Sequence, residues 1–321
     1  MNGTQVSKNK DRQYRVILFV VIGLAAISSA TKDLGQLRDI GMEVAGLVAE
    51  WSNALTPSVS ARTPMTITSC SPGNLVQNTD EFNWSGVVAP GLAVEIKGVN
   101  GDITAESAST NEVQVTATKK SRRSDVNSVQ IKVVPHAGGV TICALYPDED
   151  GTTGSCEPGS RSRNNDSGNR HVRNNDVKVD FVVRVPQQVA FIGRTVNGGI
   201  SAGSLSGNVI THTVNGSIKI STSGYAEAKT VNGGIFAKLG SATWPNSLEF
   251  TSVNGEIVLE LPAGVSTEVE AQTLNGSISS DFPLNVTSMK DLKHLKGIIG
   301  GGGRQLLVKT LNGSINLRLA S

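Results

Sequence analysis

Thr-Val-Asn-Gly-Gly-Ile, residues 195–200, is one of seven copies of a motif that decides the fold. Six copies begin with Thr or Ser and one begins with Gly; Val or Leu, Asn, Gly, any residue and Ile then follow in each. The copies are GVNGDI (98–103), TVNGGI (195–200), TVNGSI (213–218), TVNGGI (230–235), SVNGEI (252–257), TLNGSI (273–278) and TLNGSI (310–315). From Asn197 onward the asparagines are 18, 17, 22, 21 and 37 residues apart. The last interval is close to two periods, and Lys296-Gly297-Ile298 is the candidate for a worn copy within it. Such spacing indicates a repeat architecture.

The stretches between the motifs are predicted to be short β-strands, because polar and apolar residues alternate along them. Val269 and Ala271 would lie on one face of a strand, and Glu268 and Glu270 on the other. Weaker turn signals fall midway between copies, at Ser206-Gly207, Ser223-Gly224 and Ala263-Gly264. Each repeat is therefore expected to contain two strands.

Two all-β folds fit this pattern. Asn-Gly between alternating runs is a strong signal for a two-residue hairpin, which would give an up-and-down antiparallel sheet. A hairpin, however, would turn the residue before Asn outward, and that residue is Val or Leu in all seven copies. A β-solenoid, in which each repeat is one coil and equivalent residues stack, turns both this residue and the Ile inward. The sequence therefore favours an all-β, single-stranded parallel β-solenoid (β-helix) of about 18–22-residue coils over the antiparallel sheet.

Stacked coils would place the motif asparagines in one column, where their amides hydrogen-bond to one another as in cross-β structures. The following glycines are predicted to supply the positive φ that the bend needs. This structural turn ladder consists of Asn100, Asn197, Asn215, Asn232, Asn254, Asn275 and Asn312, with Gly198, Gly216, Gly233, Gly255, Gly276 and Gly313.

The chain divides into three parts. Residues 1–30 place basic residues before VILFVVIGLAAISSA (16–30), which is the layout of a secretory signal peptide or a membrane anchor. Residues 31–80 combine a short amphipathic helix at 34–55 with a Thr/Ser/Pro linker. Residues 81–321 form the β-solenoid domain, with an irregular part (81–188) that holds a polar insertion (147–176) and a regular part (189–321). We therefore expect an exported protein, which is periplasmic, on the cell surface or anchored in the membrane.

Export gives meaning to the three cysteines. Cys143 and Cys156 bracket a polar, turn-rich stretch, and a disulfide between them is predicted because it would restrict the unfolded chain. Cys70 is then left over, free or intermolecular. A metal site is the alternative, but no Cys-x-x-Cys and no histidine cluster accompanies the cysteines.

Composition and motifs argue against several functions. Residues 1–30 carry four basic residues and one acid, so the rest of the chain has a net charge of 2 − 3 = −1. Binding of nucleic acid through bulk charge is therefore not expected. The histidines (His136, His171, His212 and His294) are scattered, and neither H-E-x-x-H nor G-x-S-x-G occurs. No catalytic residue, cofactor or metal ligand is predicted, and the protein is not expected to be an enzyme.

Three surface features could bind charged groups. Gly300–Gly303 with Arg304 could cradle an anion, with a turn or bulge as the alternative. Asp148, Glu149 and Asp150 could hold Ca²⁺ or form a solvated loop. Two basic runs could meet anionic glycan, lipid headgroups or nucleic acid, or be solvated hairpin tips, which is the interpretation favoured here. They are Lys119, Lys120, Arg122 and Arg123, and Arg161, Arg163, Arg170, His171 and Arg173.

Several separate segments resemble the bacterial DUF4097 family of adhesin-like, β-strand-repeat envelope proteins. They are FNWSGVVAPGLAVEIKGVNGDITAE (82–106), VTICALYP (140–147), GSIKISTSGYAEAKTVNGGI (216–235), AQTLNGSISSDFPL (271–284) and GIIGGGGRQLLVKTLNGSINLRL (297–319). The resemblance, over residues 82–321, implies a solenoid-like β-domain in an exported or envelope-tethered protein. It carries over no catalytic residues, because the family has none established.

The predicted function is a non-catalytic module of the cell envelope, a structural or adhesin-like surface that binds envelope glycan, lipid headgroups or protein. Exposed Thr, Ser and Asn rows along the coils could hydrogen-bond sugars. One alternative is a polysaccharide-acting β-helix enzyme, which needs carboxylates on one face; Glu268 and Glu270 share one. Another is an envelope-stress accessory protein that binds a membrane partner through the 34–55 helix.

Overall fold

The computed structural model describes residues 78–147, 153–159, 175–290 and 293–320. Several predicted features lie outside the described residues. They are the signal or anchor segment 1–30, the 34–55 helix, Cys70, the acidic triplet Asp148, Glu149 and Asp150, and the basic run from Arg161 to Arg173. Within the described ranges, no helix is long and apolar enough to cross a membrane.

The described residues are almost entirely β-structure, so the prediction of an all-β fold is confirmed. A single 3-10 turn, Val126–Ser128, accompanies the strands in this part of the chain. The strands are β1 (Asn78–Val87), β2 (Ala93–Lys97), β3 (Ile103–Ser107), β4 (Glu112–Ser121), β5 (Gln130–His136), β6 (Gly139–Leu145), β7 (Lys178–Val185), β8 (Ala190–Arg194), β9 (Ile200–Leu205), β10 (Val209–His212), β11 (Ile218–Thr222), β12 (Ala226–Lys229), β13 (Ile235–Leu239), β14 (Leu248–Asn254), β15 (Ile257–Leu261), β16 (Thr267–Asn275), β17 (Ile278–Ser280), β18 (Leu284–Lys290), β19 (His294–Ile299), β20 (Gln305–Asn312) and β21 (Ile315–Leu319).

The strands form two sheets. Sheet A has the order β1-β4-β7-β3-β9-β11-β13-β15-β21-β17, and sheet B has the order β18-β19-β16-β20-β14-β12-β10-β8-β2-β6-β5. Each motif copy joins a strand of sheet B to a strand of sheet A, and we call this pair of strands a rung. The seven rungs are β2–β3, β8–β9, β10–β11, β12–β13, β14–β15, β16–β17 and β20–β21. The motif is therefore a corner between two sheets, and the hairpin alternative is wrong at these positions.

Neighbouring rungs pair in parallel in both sheets. Outside the rungs the pairing is mixed. β4 is antiparallel to β1 and β7, β5 is antiparallel to β6, and β19 is antiparallel to β16 and β18. Both sheets are thus mixed, so a single parallel solenoid does not describe the whole of residues 81–321. Antiparallel strands that fold back at the ends of a parallel stack cover edges that would otherwise stay open.

The spatial order of the rungs differs from the order of the sequence. The last rung, β20–β21, lies between β14–β15 and β16–β17 in both sheets. The expectation that each copy stacks on the next one along the chain is wrong here. The prediction of a worn motif copy at Lys296-Gly297-Ile298 is also wrong, because these residues belong to β19, which pairs antiparallel with β16.

The core lies between the sheets. Side chains that point inward from both sheets form one continuous buried cluster, in which Phe181, Phe191 and Phe250 are the largest fully buried members. The motif Ile is buried in six of the seven rungs, and Ile278 of the terminal rung is half-buried. The Val or Leu before the motif Asn is buried at Val196, Val231 and Val253 and half-buried in the other four copies. The inward turn of both apolar residues is why the corner forms a bend between sheets.

The motif glycines serve close approach of neighbouring rungs. Gly101 alone among them has a positive φ, of 138°, so the prediction that the other six supply positive φ is wrong. A Cβ atom on Gly216 would instead overlap the carbonyl oxygen of Gly198 on the neighbouring rung. Gly198, Gly233, Gly255, Gly276 and Gly313 meet the neighbouring rung's glycine carbonyl in the same way. Glycine is required because the backbones of stacked corners leave no room for a methyl group.

Candidate functional site

The seven motif asparagines form one unbroken column of side-chain hydrogen bonds. In each bond the Nδ2 group of one asparagine donates to the Oδ1 atom of the next, at 2.7–2.9 Å. The column runs Asn100, Asn197, Asn215, Asn232, Asn254, Asn312 and Asn275. The first two are half-buried and the other five are exposed. The exposed amides therefore repeat once per rung, about 4.8 Å apart, which is the strand spacing of a sheet.

A second column, of hydroxyl groups, lies inside the same corner. Thr213 Oγ1 donates to the carbonyl oxygen of Gly198 at 2.9 Å, and Thr230 repeats this bond to Gly216. Thr195, Ser252, Thr310 and Thr273 make the equivalent bond to a neighbouring glycine, at 2.8–3.1 Å. All six hydroxyl residues are buried. The motif sequence is thus explained by two side-chain hydrogen bonds per rung, one from Asn and one from Thr or Ser, and by the close contact at Gly. The buried hydroxyl bonds also support the asparagine column from inside the corner.

A third column occupies the outer face of sheet B, one residue before the motif hydroxyl position. The strand register aligns Lys97, Arg194, His212, Lys229, Thr251, Lys309, Gln272 and, on β19, His294. We call these eight residues the polar row. Reasoning from the sequence missed this row, although its signal is present, because the residue before the Thr-like position is basic or polar in all seven copies.

One end of the polar row is organised by Glu95, a buried carboxylate in β2. It accepts hydrogen bonds from Arg194 Nε at 3.0 Å, Thr141 Oγ1 at 3.0 Å and the Gly159 amide at 3.1 Å. Burial alone would raise the pKa of Glu95, but the Gly159 amide, Lys97 and Arg194 outweigh it, and the pKa is lowered. The same burial lowers the pKa of Lys97, against the attraction of Glu95.

Two histidines flank the Glu95 cluster. His212 Nδ1 lies 2.8 Å from Arg194 Nη1, and since arginine only donates, His212 accepts there. His136 Nε2 lies 3.1 Å from the Thr141 hydroxyl that in turn donates to Glu95. The structure therefore connects two histidines that are scattered in the sequence, through partners on other strands.

The disulfide fixes the loop that covers this cluster. Cys143 and Cys156 are bonded, with 5.8 Å between their Cα atoms, and both are buried. The loop beyond Cys156 places the Glu157 carbonyl 2.5 Å from Lys97 Nζ and the Gly159 amide on Glu95. The disulfide thus stabilises the arrangement of charged groups on sheet B as well as the loop.

The middle of sheet B brings two carboxyl groups together. Glu249 is paired with Lys229 at 2.5 Å and accepts a hydrogen bond from Thr251 at 3.0 Å. Glu227, half-buried on the neighbouring strand, has its pKa raised by burial and by the charge of Glu249, while Lys229 opposes the shift. A carboxyl with a raised pKa beside a second carboxyl on the same face is an arrangement that acid–base chemistry uses.

The other end of the row gathers around Glu270. Its carboxylate lies 3.1 Å from Lys296 Nζ and 3.5 Å from His294 Nε2, and it accepts a hydrogen bond from Gln272 at 2.8 Å. Glu268 is on the same face but exposed. The predicted shared face of these two glutamates is thus what the strand shows, but only Glu270 joins the charged cluster.

The remaining predicted sites lie elsewhere. Gly300–Gly303 form the turn between β19 and β20, where the Gly301 amide is 3.3 Å from Ser266 Oγ. The Arg304 carbonyl accepts a hydrogen bond from Thr267 at 2.6 Å. The basic run from Lys119 to Arg123 lies at the end of β4, and Lys119 pairs with Asp80 at 2.8 Å. In the described ranges no cluster of three His, Cys, Asp or Glu residues could hold a metal ion.

Two mixed sheets joined by a repeated Thr-Val-Asn-Gly corner define a β-repeat protein. The chain belongs to the Toastrack DUF4097 family, whose family model matches residues 76–318. The family resemblance of the sequence is thereby confirmed.

Solved structures with a similar chain path include a "putative cell adhesion protein" from Clostridium sporogenes, with a TM-score of 0.39 and 10% identity over 75% of this chain and 100% of that chain. A "putative adhesin" from Bacteroides fragilis has a TM-score of 0.33 and 12% identity over 74% of this chain and 97% of that chain. A "putative lipid binding protein" from Parabacteroides distasonis scores 0.19 at 10% identity, over 77% and 96%. Comparison with curated proteins gives no match.

Proposed function

We propose that the chain is a non-catalytic binding module of the cell envelope that holds an extended glycan along its asparagine column. The observation that carries this proposal is the column of amides. Each amide inside the column uses one N–H group and one carbonyl lone pair on its neighbours. One N–H donor and one lone pair per rung remain for a ligand. A sugar hydroxyl both donates and accepts, so a row of such paired groups matches a polyhydroxylated chain.

The polar row adds a second line of groups beside the column. In this row, Arg194, Lys229 and Gln272 are held in place by Glu95, Glu249 and Glu270, respectively. A ligand that binds there loses little side-chain entropy of the protein, because the side chains are already ordered. Many weak contacts at a regular spacing then add up along a polymer. This proposal applies the solenoid description only to the stack of seven rungs.

The proposed function requires that the protein is located outside the cytosol. The Cys143–Cys156 disulfide supports it, because such bonds persist in oxidising compartments outside the cytosol. The signal or anchor segment at 1–30 remains a prediction. The accessory role through the 34–55 helix also remains one, because that segment lies outside the described residues.

Sedimentation with insoluble envelope polysaccharide tests the proposal on the full chain. Replacing Asn215 and Asn232 with Ala should weaken retention about thirtyfold, since the loss of each of the two amides removes about 1 kcal/mol of hydrogen bonding to the ligand. The matched control replaces Asn78 and Asn285, which are also exposed in strands but lie off the column. Equal retention of both double variants would contradict the proposal. A thermal midpoint for each variant separates lost binding from lost folding.

A polysaccharide-acting enzyme is the second candidate, and Glu227 with Glu249 is the observation that favours it. We rank it below binding because Glu249 is held by Lys229 and Thr251. Incubation with acidic polysaccharides, followed by detection of new reducing or unsaturated ends, separates the two. New ends that disappear in Glu227→Gln would overturn the non-catalytic proposal.

A further inference from the structure

A basic pocket lies at the end of β4 and the start of β7, on a different part of the molecule from the polar row. It has a volume of about 540 Å³ and is lined by Lys120, Ser121, Arg122, Arg123, Asp176 and Lys178. Four of these six residues are cationic, and one is acidic. The pocket contains most of the basic run that the sequence singles out.

The backbone of this pocket already binds an oxyanion, the carboxylate of Asp176. Three consecutive amides donate to it, from Ser124 at 2.8 Å, Arg123 at 3.1 Å and Arg122 at 3.2 Å. Converging backbone amides of this kind are a common anion-binding device. The Ser124 amide and hydroxyl are the main reason why the pKa of Asp176 is lowered. The turn is thereby held in a fixed shape, with the arginine side chains exposed beside it.

The four cations of the pocket differ in how far they are neutralised. Lys120 lies 3.6 Å from Asp180, and Lys178 lies 2.9 Å from both Asp102 and Asp180. Arg122 and Arg123 are exposed. Among the described residues, no carboxylate pairs with either guanidinium group. The pocket therefore offers two adjacent, uncompensated arginines, whose planar donor groups fit a phosphate better than a lysine does.

We propose that this pocket binds a phosphate ester, with Arg122 and Arg123 as the main ligand contacts and Lys120 and Lys178 as supporting charge. The phosphate could be carried by a soluble ester or by a lipid headgroup. The chemistry is the same in both cases, and the experiment separates the two sources. This site is additional to the asparagine column, so it does not depend on the glycan proposal.

The test uses the full chain and two probes at low ionic strength, glycerol phosphate in solution and vesicles that contain phosphatidylglycerol, with phosphatidylcholine vesicles as the neutral reference. Binding of either charged probe should weaken at least about tenfold in R122E/R123E and should fall with added salt. The neutral variant R122Q/R123Q covers the case in which charge reversal disturbs the fold. The control R184E/K219E reverses two exposed cations of sheet A outside the pocket and should bind as the parent does.

Each outcome is decisive. Binding of glycerol phosphate that is lost in both arginine variants supports the proposal with a soluble ester as the source. Binding of charged vesicles alone, with the same loss, supports it with a headgroup as the source. No binding of either probe, or equal loss in the control, would overturn it.

Discussion

Asn275 donates its side-chain hydrogen bond to Asn312, which lies 37 residues further along the chain, at 2.8 Å. Asn312 in turn donates to Asn254 at 2.7 Å. The motif copies at 252–257 and 273–278 are consecutive in the sequence, yet the C-terminal copy separates them in space. The rung β20–β21 is therefore an internal part of the stack, although it comes last in the chain.

Truncation tests this insertion. Ending the chain after residue 304 removes β20 and β21, which lie between the rungs β14–β15 and β16–β17. Each of these two rungs should then lose its pairing partner on the edge that faces the removed rung. We expect a loss of cooperative unfolding over the C-terminal half. Amide hydrogen exchange should show protection lost on both flanking rungs. If protection were lost only within 267–280, the rungs would not be bridged as described.

The glycine column makes a sharp prediction for Gly216→Ala. The added methyl group would meet the Gly198 carbonyl of the neighbouring rung, and overpacking of this kind costs about 1–3 kcal/mol. Gly203→Ala is the matched control, since its Cβ would meet nothing within 4 Å. Urea unfolding should therefore show a lower free energy of unfolding for the first variant and little change for the second. Equal effects would refute the close-approach explanation.

Glu95 should make the fold sensitive to acid. Its pKa is lowered in the folded state from the ordinary value of 4.5, so its ionised form stabilises the fold above that pH. This contribution is lost as the pH falls below 4.5 towards the lowered value. Glu95→Gln should cost about 3 kcal/mol at pH 7, because Arg194 and Lys97 lose their buried partner. Unfolding at pH 7 and pH 3 measures both effects, and the difference between variant and parent should shrink at pH 3.

Glu227 should show the opposite sign. Its pKa is raised from 4.5 in the folded state, so ionisation costs stability as the pH rises through the raised value. Glu227→Gln removes this cost and should raise the thermal midpoint at pH 7. Below pH 4.5 the parent is protonated in both states, and the two proteins should unfold at similar temperatures. A variant that is less stable than the parent at pH 7 would show that the carboxylate is favourable where it lies.

The asparagine column could be predicted from the sequence, but the order of the rungs could not. The inward Val and Ile and the repeated Asn specify a corner and its register. Every copy carries the same corner, so Asn312 fits beside Asn254 or Asn275 equally well. The choice is made by the β18–β19 hairpin, which pairs antiparallel with β16 and so occupies its other edge. No local pattern in the sequence records that choice.

The role of the motif glycines and the Glu95 cluster could not be predicted from the sequence, for a related reason. Contact between Gly216 and Gly198 depends on the distance between rungs, which a single strand does not specify. Arg194 and Glu95 are 99 residues apart and meet only because β2 pairs with β8. The polar row, in contrast, occupies a fixed position before each motif and is readable from the sequence alone.

All six side-chain hydrogen bonds of the asparagine column point in the same direction. In each one, the donor lies on the Asn275 side and the acceptor on the Asn100 side. The column thus has a head and a tail, with an unused carbonyl at one and an unused amide at the other. Bond dipoles that point one way add up along it, so the strip has an electrical polarity as well as a spacing. A ligand whose two ends differ chemically would meet unlike environments when reversed, which gives this surface a means of reading direction.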